Sequence, residues 1–288
     1  MLSRNSQEII GKIDNKGNGK NVGQFFRFPA ITWILISLTS LASLLAFTWP
    51  LYLPESLLGL SLTQDHYWIF FLIIPLSLFA LAIEINRGVI DIKAIALLAV
   101  LASLAASLRQ IGAGAVGIEP MWFLIILAAR VFGPSFGFAL GAIAMSLSAI
   151  LTGGLGPWLP FQIMAASWIG LFAGCLPRSL RGRGEIVMLM LVSLISGLSF
   201  GLLMDLQLWP WIVGGDTALS FQQGGAISEN LNRFLTFHLL TAMAWDIPRS
   251  ILTAVLVWIT GRPVINALRR TQRKSVILSE REMERTVA

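Results

Sequence analysis

The sequence predicts an all-α fold, a polytopic bundle of membrane-spanning helices. Three observations predict it. Hydrophobic residues fill 56% of the 288 positions. Charged residues make up only 12%, against about 25% in a soluble domain. The apolar residues also run in long stretches close to the ~20 residues that cross a bilayer, not in amphipathic stripes.

Eight spans are readable, over 30–49, 67–86, 93–108, 119–132, 135–152, 160–176, 186–204 and 242–261. The segment 231–241 is apolar too; it either extends the last span or lies at the interface as a short helix. Pro248 is expected to kink a helix that runs straight through it.

Basic residues set the orientation. Of the 21 Lys and Arg, all but Arg109, Arg233 and Arg249 fall on one side of these spans. They occupy the N-terminal tail, Arg87 and Lys93, Arg130, the loop with Arg178, Arg181 and Arg183, and the C-terminal tail from Arg262. That side is expected to be cytoplasmic, with both termini in it. A basic flank of this kind meets anionic lipid headgroups, so the sequence pI of about 10.1 does not call for nucleic acid. The tails 1–29 and 266–288 read as solvated, partly disordered flanks. No small-residue cleavage site precedes the first span, which is therefore expected to be retained.

The fourth span is short. Pro120 to Phe132 makes roughly 20 Å of helix against a hydrocarbon core of about 30 Å. The stretch Gly112-Ala-Gly-Ala-Val-Gly117 must then dip toward the membrane, where irregular backbone is tolerated only if protein or a cavity satisfies it. Thr152-Gly-Gly-Leu-Gly-Pro-Trp-Leu-Pro160 lies on the same outer face. Polar residues collect there: Arg109, Gln110, Glu119, Gln162, Asp205, Gln207, Asp246 and Arg249. Seven of the ten tryptophans also fall at or near outer span ends, namely Trp49, Trp68, Trp122, Trp158, Trp209, Trp211 and Trp245. Aromatics with a few convergent polar groups are the usual lining of a small-molecule site. The candidate solute contacts are Arg109, Glu119, Trp122, Trp158, Gln162, Trp245 and Asp246. Each also has a plainer reading. Arg109 and Glu119 can be an ion pair holding a loop, Asp246 can cap a helix ahead of Pro248, and outer tryptophans can form an interfacial belt.

Several motifs fail on context. Gly112, Gly114 and Gly117 match a dinucleotide fingerprint by letter but link membrane helices and not a strand and a helix. Gly19-Lys20 lacks the first glycine and the Ser or Thr of a P-loop. His66 and His238 are the only histidines and do not suggest a metal site between them. Ser196 lacks the glycine of a nucleophile elbow two residues before it. The single cysteine, Cys175, excludes a disulfide framework and reads as a small buried hydrophobe. No cofactor or metal is expected.

Small residues crowd the third span. Ala102 with Ala106 and Ala99 with Ser103 make small-xxx-small pairs that let another helix approach closely. Packing within the chain and docking to another membrane subunit both fit that pattern.

Residues from about 90 to 270 resemble the substrate-binding S component of an energy-coupling factor (ECF) vitamin transporter. The resemblance is carried by the Ala-rich span 93–108, Leu108-Arg-Gln-Ile-Gly-Ala-Gly114, Gly133-Pro-Ser-Phe-Gly-Phe138, the 152–162 segment ending in Gln162, and Trp245-Asp-Ile-Pro-Arg249. Phe47-Thr-Trp-Pro50 and the return span 67–86 are similar to actinobacterial members with two extra N-terminal helices. The resemblance implies a six-helix core over 90–265, preceded by two additional transmembrane helices over 30–89. It implies uptake of a vitamin-like solute, with a corrinoid such as cobalamin as one possibility, in a bacterial plasma membrane. It also implies a membrane scaffold subunit and two cytoplasmic ATPases as partners, this chain having no ATPase of its own. The scaffold would meet an Ala-x-x-x-Ala face on the first core helix, which matches Ala102 and Ala106 with Ala99 and Ser103 beside them.

Two other classes of polytopic membrane protein have their own requirements. A self-sufficient secondary transporter would want an internal repeat and a midplane ionisable residue, and the span centres are nearly free of charge. An intramembrane serine hydrolase would need Ser196 and His238 to converge. The orientation is testable by single-cysteine labelling from outside intact cells. A cysteine at Gly154 is expected to react and one at Ser179 is not; the reverse pattern inverts the topology.

Overall fold

The computed structural model describes residues 28–52, 92–112, 116–213, 217–222 and 224–287. The predicted span 67–86, including Trp68, lies outside them, as do His66 and the N-terminal tail to Arg27. Among the described residues all regular structure is helical. The helices are α1 (Ala30–Tyr52), α2 (Ile92–Ile111), α3 (Met121–Phe132), α4 (Pro134–Thr152), α5 (Leu159–Cys175), α6 (Arg183–Ile212), α7 (Ile227–Phe237) and α8 (Met243–Val287). A π-helical turn, His238–Ala242, joins the last two. Five helical stretches are long and apolar enough to cross a membrane, and α3 and α5 are shorter apolar helices.

The shortest of these apolar helices is the centre of the bundle. The 12 residues of α3 span about 18 Å. Every one except Phe123 is buried. Helices α2, α4, α5, α6 and α8 all pack on it. A helix apolar on all sides must be surrounded in this way, and here protein does the surrounding.

Outside α3, the tightest pair is α4 with α5. A Cβ on Gly137 would overlap the Gly170 carbonyl oxygen, and one on Gly170 would overlap that of Gly137. Gly141 stands equally close to Ala166, and Gly174 to Pro134. Helices in lipid gain little from apolar burial against each other, so this backbone contact supplies dispersion and close packing instead.

Helix α1 lies against α5, α6 and α7. Phe47 is fully buried there, its ring 4.9 Å from that of Phe161. Trp168 donates its indole N–H to the Ser40 hydroxyl at 2.9 Å. Ile34, Leu38, Leu41 and Leu45 face away from the bundle, as a helix bordered by lipid requires.

Three expectations change, and one of the two readings of the segment 231–241 is selected. Helix α6 does not end near residue 204 but runs to Ile212, with Pro210 inside it. Leu206 and Trp209 continue its apolar face, packing with Phe234 and Phe237, so burial carries the helix two turns further. The segment 231–241 belongs to the last helical run, which is helical without a break from Ile227 to Val287. The C-terminal flank is accordingly helical to Val287 and not an irregular tail. Cys175 is exposed, because the last turn of α5 presents it outward.

The α4–α5 seam generates a prediction. Gly170→Ala should lower stability by about 2 kcal/mol or more, the cost of overpacking against backbone that cannot rotate away. Gly184→Ala, where the nearest atom to the new Cβ is 3.8 Å off, should leave stability unchanged. Thermal unfolding in detergent compares the two; equal melting temperatures would remove the close contact from the account.

Candidate functional site

The polar residues singled out in the sequence divide into a converged set and a scattered set. Arg109 ends α2, Glu119 lies in the loop before α3, Trp122 opens α3, and Asp246 and Arg249 sit on α8. Four of these five are brought together around Glu119. Its Oε2 accepts from the Arg249 Nε at 2.7 Å and from the Trp122 indole N–H at 3.0 Å. Its Oε1 accepts from the Arg109 Nε at 3.4 Å. Arg249 also donates to Asp246 Oδ1, three residues earlier on the same face of α8. Arg109 reaches α4 as well, donating to the Ser148 hydroxyl at 2.9 Å.

Backbone packing makes this convergence possible. Gly117, at φ 65°, lies so close to the Trp245 carbonyl oxygen that a side chain there would overlap it. The loop before α3 thus docks directly on α8, and Glu119 arrives at Arg249 two residues later. The guanidinium of Arg249 also lies 5.1 Å from the Phe200 ring centroid, and Phe200 packs on Trp122. A cation over an aromatic face gains a further attraction in a desolvated place.

The cluster extends to α6. His238 Nδ1 lies 2.7 Å from Asp205 Oδ2 and 4.0 Å from Asp246 Oδ2. The sequence reading weighed His238 only against His66 and Ser196 and set it aside. Its partners are carboxylates from two other elements, and no spacing along the chain announces them. Asp205 was read at a helix end; it lies well inside α6. Asp246 is no helix cap either, because the π turn and α7 continue the helix upstream of it.

The other candidates stand apart. Trp158 is 38% exposed, its indole N–H donating to the Gly154 carbonyl at 3.3 Å, and Trp245 is 47% exposed. Gln162 is half-buried in the first turn of α5. Trp122 and Trp209 belong to the core and not to a belt, being 2% and 0% exposed. On α2, Ala102 and Ala106 are fully buried within the chain, whereas Ala99 and Ser103 face outward beside Val100 and Leu104. The small-residue face thus splits into an internal half and an external half.

A second ionic cluster closes the opposite end of α3. Arg130 donates to Glu185 Oε1 at 2.7 Å and to the carbonyls of Leu176 and Leu180. Arg269 of α8 donates to the same Glu185 oxygen at 2.7 Å. The one sequence signal was Glu185 itself, a lone acid beside Arg178, Arg181 and Arg183.

Glu119→Gln should cost about 3 kcal/mol at neutral pH, since Arg109 loses its carboxylate partner. Melting temperatures in detergent check this; a variant as stable as wild type would mean that Glu119 carries no folded-state charge pairing.

No curated protein and no solved structure matches the chain. The family model described as "ECF transporter, substrate-specific component" matches residues 93–260. The match begins at the start of α2 and ends within the membrane part of α8, so it contains the buried α3, the Glu119 cluster and the Arg130–Glu185 pair. This multi-pass membrane protein belongs to the family of ECF transporter substrate-specific components.

Proposed function

We propose that the chain captures a vitamin-like small molecule at the end of the bundle marked by Arg109, Glu119 and Arg249, for import across a bacterial plasma membrane. The observation that carries this reading is the convergence of three helices on one carboxylate, Glu119, at the end of a central helix too short to span the bilayer. Polar groups near a membrane interior are costly and tend to be retained for work. The orientation that follows from the basic residues puts this end outside.

Within the proposed site, Arg109, Glu119 and Asp246 form the charged floor and Trp122 its apolar wall. Trp158, Gln162 and Trp245 stand at the rim. Their exposed rings offer large apolar area at little conformational cost, the property that makes tryptophan a frequent anchor in recognition. A membrane scaffold subunit and two ATPases would complete the importer, as membership in this family implies. On that reading Ala99 and Ser103, with Val100 and Leu104, form the half of α2 that meets the scaffold. Ala102 and Ala106 hold α2 to its own bundle.

The experiment is to purify the chain with its native partners, identify the bound small molecule by mass spectrometry, and measure its affinity for variants. Trp158→Ala and Arg109→Ala should each weaken binding at least tenfold, about 1.4 kcal/mol. Both variants must remain monodisperse. Wild-type affinity in both would place the solute elsewhere and leave the rim tryptophans as an interfacial belt.

A further inference from the structure

The charged cluster continues from Asp246 to two residues not assigned to the solute. Asp205, His238 and Asp246 each bring a ligand atom to within 4.8 Å of the other two. Asp246 is 2% exposed, and its Oδ2 has no hydrogen-bond partner. That oxygen lies on the His238 side of the carboxylate, 4.0 Å from Nδ1. The other oxygen, Oδ1, is occupied by Arg249. A buried carboxylate oxygen left without a partner is unusual enough to require an account.

A single proton does not supply one. A proton between His238 Nδ1 and Asp205 Oδ2 satisfies that 2.7 Å pair, but Asp246 Oδ2 is beyond hydrogen-bond reach of the same nitrogen. A metal ion sits between its ligands at about 2.0–2.2 Å from each, so one ion reaches all three atoms after small side-chain rotations. We infer that Asp205, His238 and Asp246 bind one divalent cation of the borderline type that accepts both imidazole and carboxylate, with Zn²⁺ as the representative.

The surroundings are arranged as such a site needs. Arg249 fixes the Asp246 carboxylate from behind, the orienting contact that metal-ligating carboxylates generally have. The His238 ring is stacked on Phe234 at 22° between planes. The π turn beginning at His238 adds a residue to the helical turn there, a device frequent at functional sites. Gly201, one turn before Asp205 on the same face of α6, leaves the space that the Asp246 carboxylate fills, because any Cβ there would overlap it. Charge agrees in sign: the carboxylates of Glu119, Asp205 and Asp246 outnumber the guanidiniums of Arg109 and Arg249. Three protein ligands leave at least one coordination position open, and Asp205, with 21% of its side chain exposed, marks the route to it.

The test uses metal alone, so its outcome is independent of solute capture. The full chain in detergent is stripped with a chelator and titrated with Zn²⁺ by calorimetry. One ion per chain is expected. His238→Ala and Asp205→Asn should each weaken binding tenfold or more, and His66→Ala should leave it unchanged. Zn²⁺ should also raise the melting temperature of wild type and of His66→Ala but not of Asp205→Asn, a conservative change at the most exposed ligand. Absence of saturable binding, or binding that survives His238→Ala and disappears in His66→Ala, overturns the site and leaves a proton-bridged His–Asp pair.

Discussion

The structure depends on one mismatch of length. A helix of 12 residues occupies the middle of a bundle meant for a bilayer, and it is too short by about two fifths. Its ends therefore fall inside the membrane region, where helix termini and connecting loops find little water. Each end is closed by charge. Arg130 takes the carbonyls of Leu176 and Leu180 and is neutralised by Glu185. Glu119, one residue before Pro120, is neutralised by two guanidiniums and an indole N–H. The two clusters are versions of one solution, a buried ion whose other hydrogen-bonding positions are also filled. They differ in composition. The Arg130 cluster has two cations for one carboxylate, while the Glu119 cluster continues into Asp246, Asp205 and His238.

That difference separates a lock from a site. Around Glu185 the geometry is saturated: Arg130 donates to three acceptors, and Arg269 joins from α8. Around Glu119 the network ends in an unpartnered oxygen on Asp246. Unfilled hydrogen-bonding capacity beside apolar surface is what a ligand uses. The family to which the chain belongs places binding in such a chain. On the proposed reading, the ionic asymmetry favours the Glu119 end of α3.

The sequence made the helical class, the short fourth span and the Arg109–Glu119 pair legible, because run length and local spacing determine them. It did not show that α6 continues past residue 204, since the reason is contact between Trp209 and residues of α7. Trp122 was read as a solute contact and Trp209 as lying near an outer span end, but a position near a span end does not tell which way a ring points, and both point inward. Ala102 and Ala106 were indistinguishable from Ala99 and Ser103 by spacing; only the rotation of α2 against α4 separates them. His238 was missed for the same kind of reason. Its partners come from α6 and α8, and pairing across helices leaves no periodic trace. Glu185 is the exception, since an isolated acid among arginines does hint at a buried partner.

The π turn at His238–Ala242 has a consequence for how the last two helices are held in phase. It holds one more residue than an α-helical turn of the same rise, and that extra residue is absorbed locally, so the two flanking helices keep their phase. If the turn relaxed to α geometry with all its residues kept, α7 would rotate by about 100° relative to α8. Phe234 and Phe237 would leave Trp209, and the imidazole would turn from both carboxylates at once. The π geometry is therefore held from outside the turn, by Trp209 against α7 and by the two carboxylates that face the imidazole.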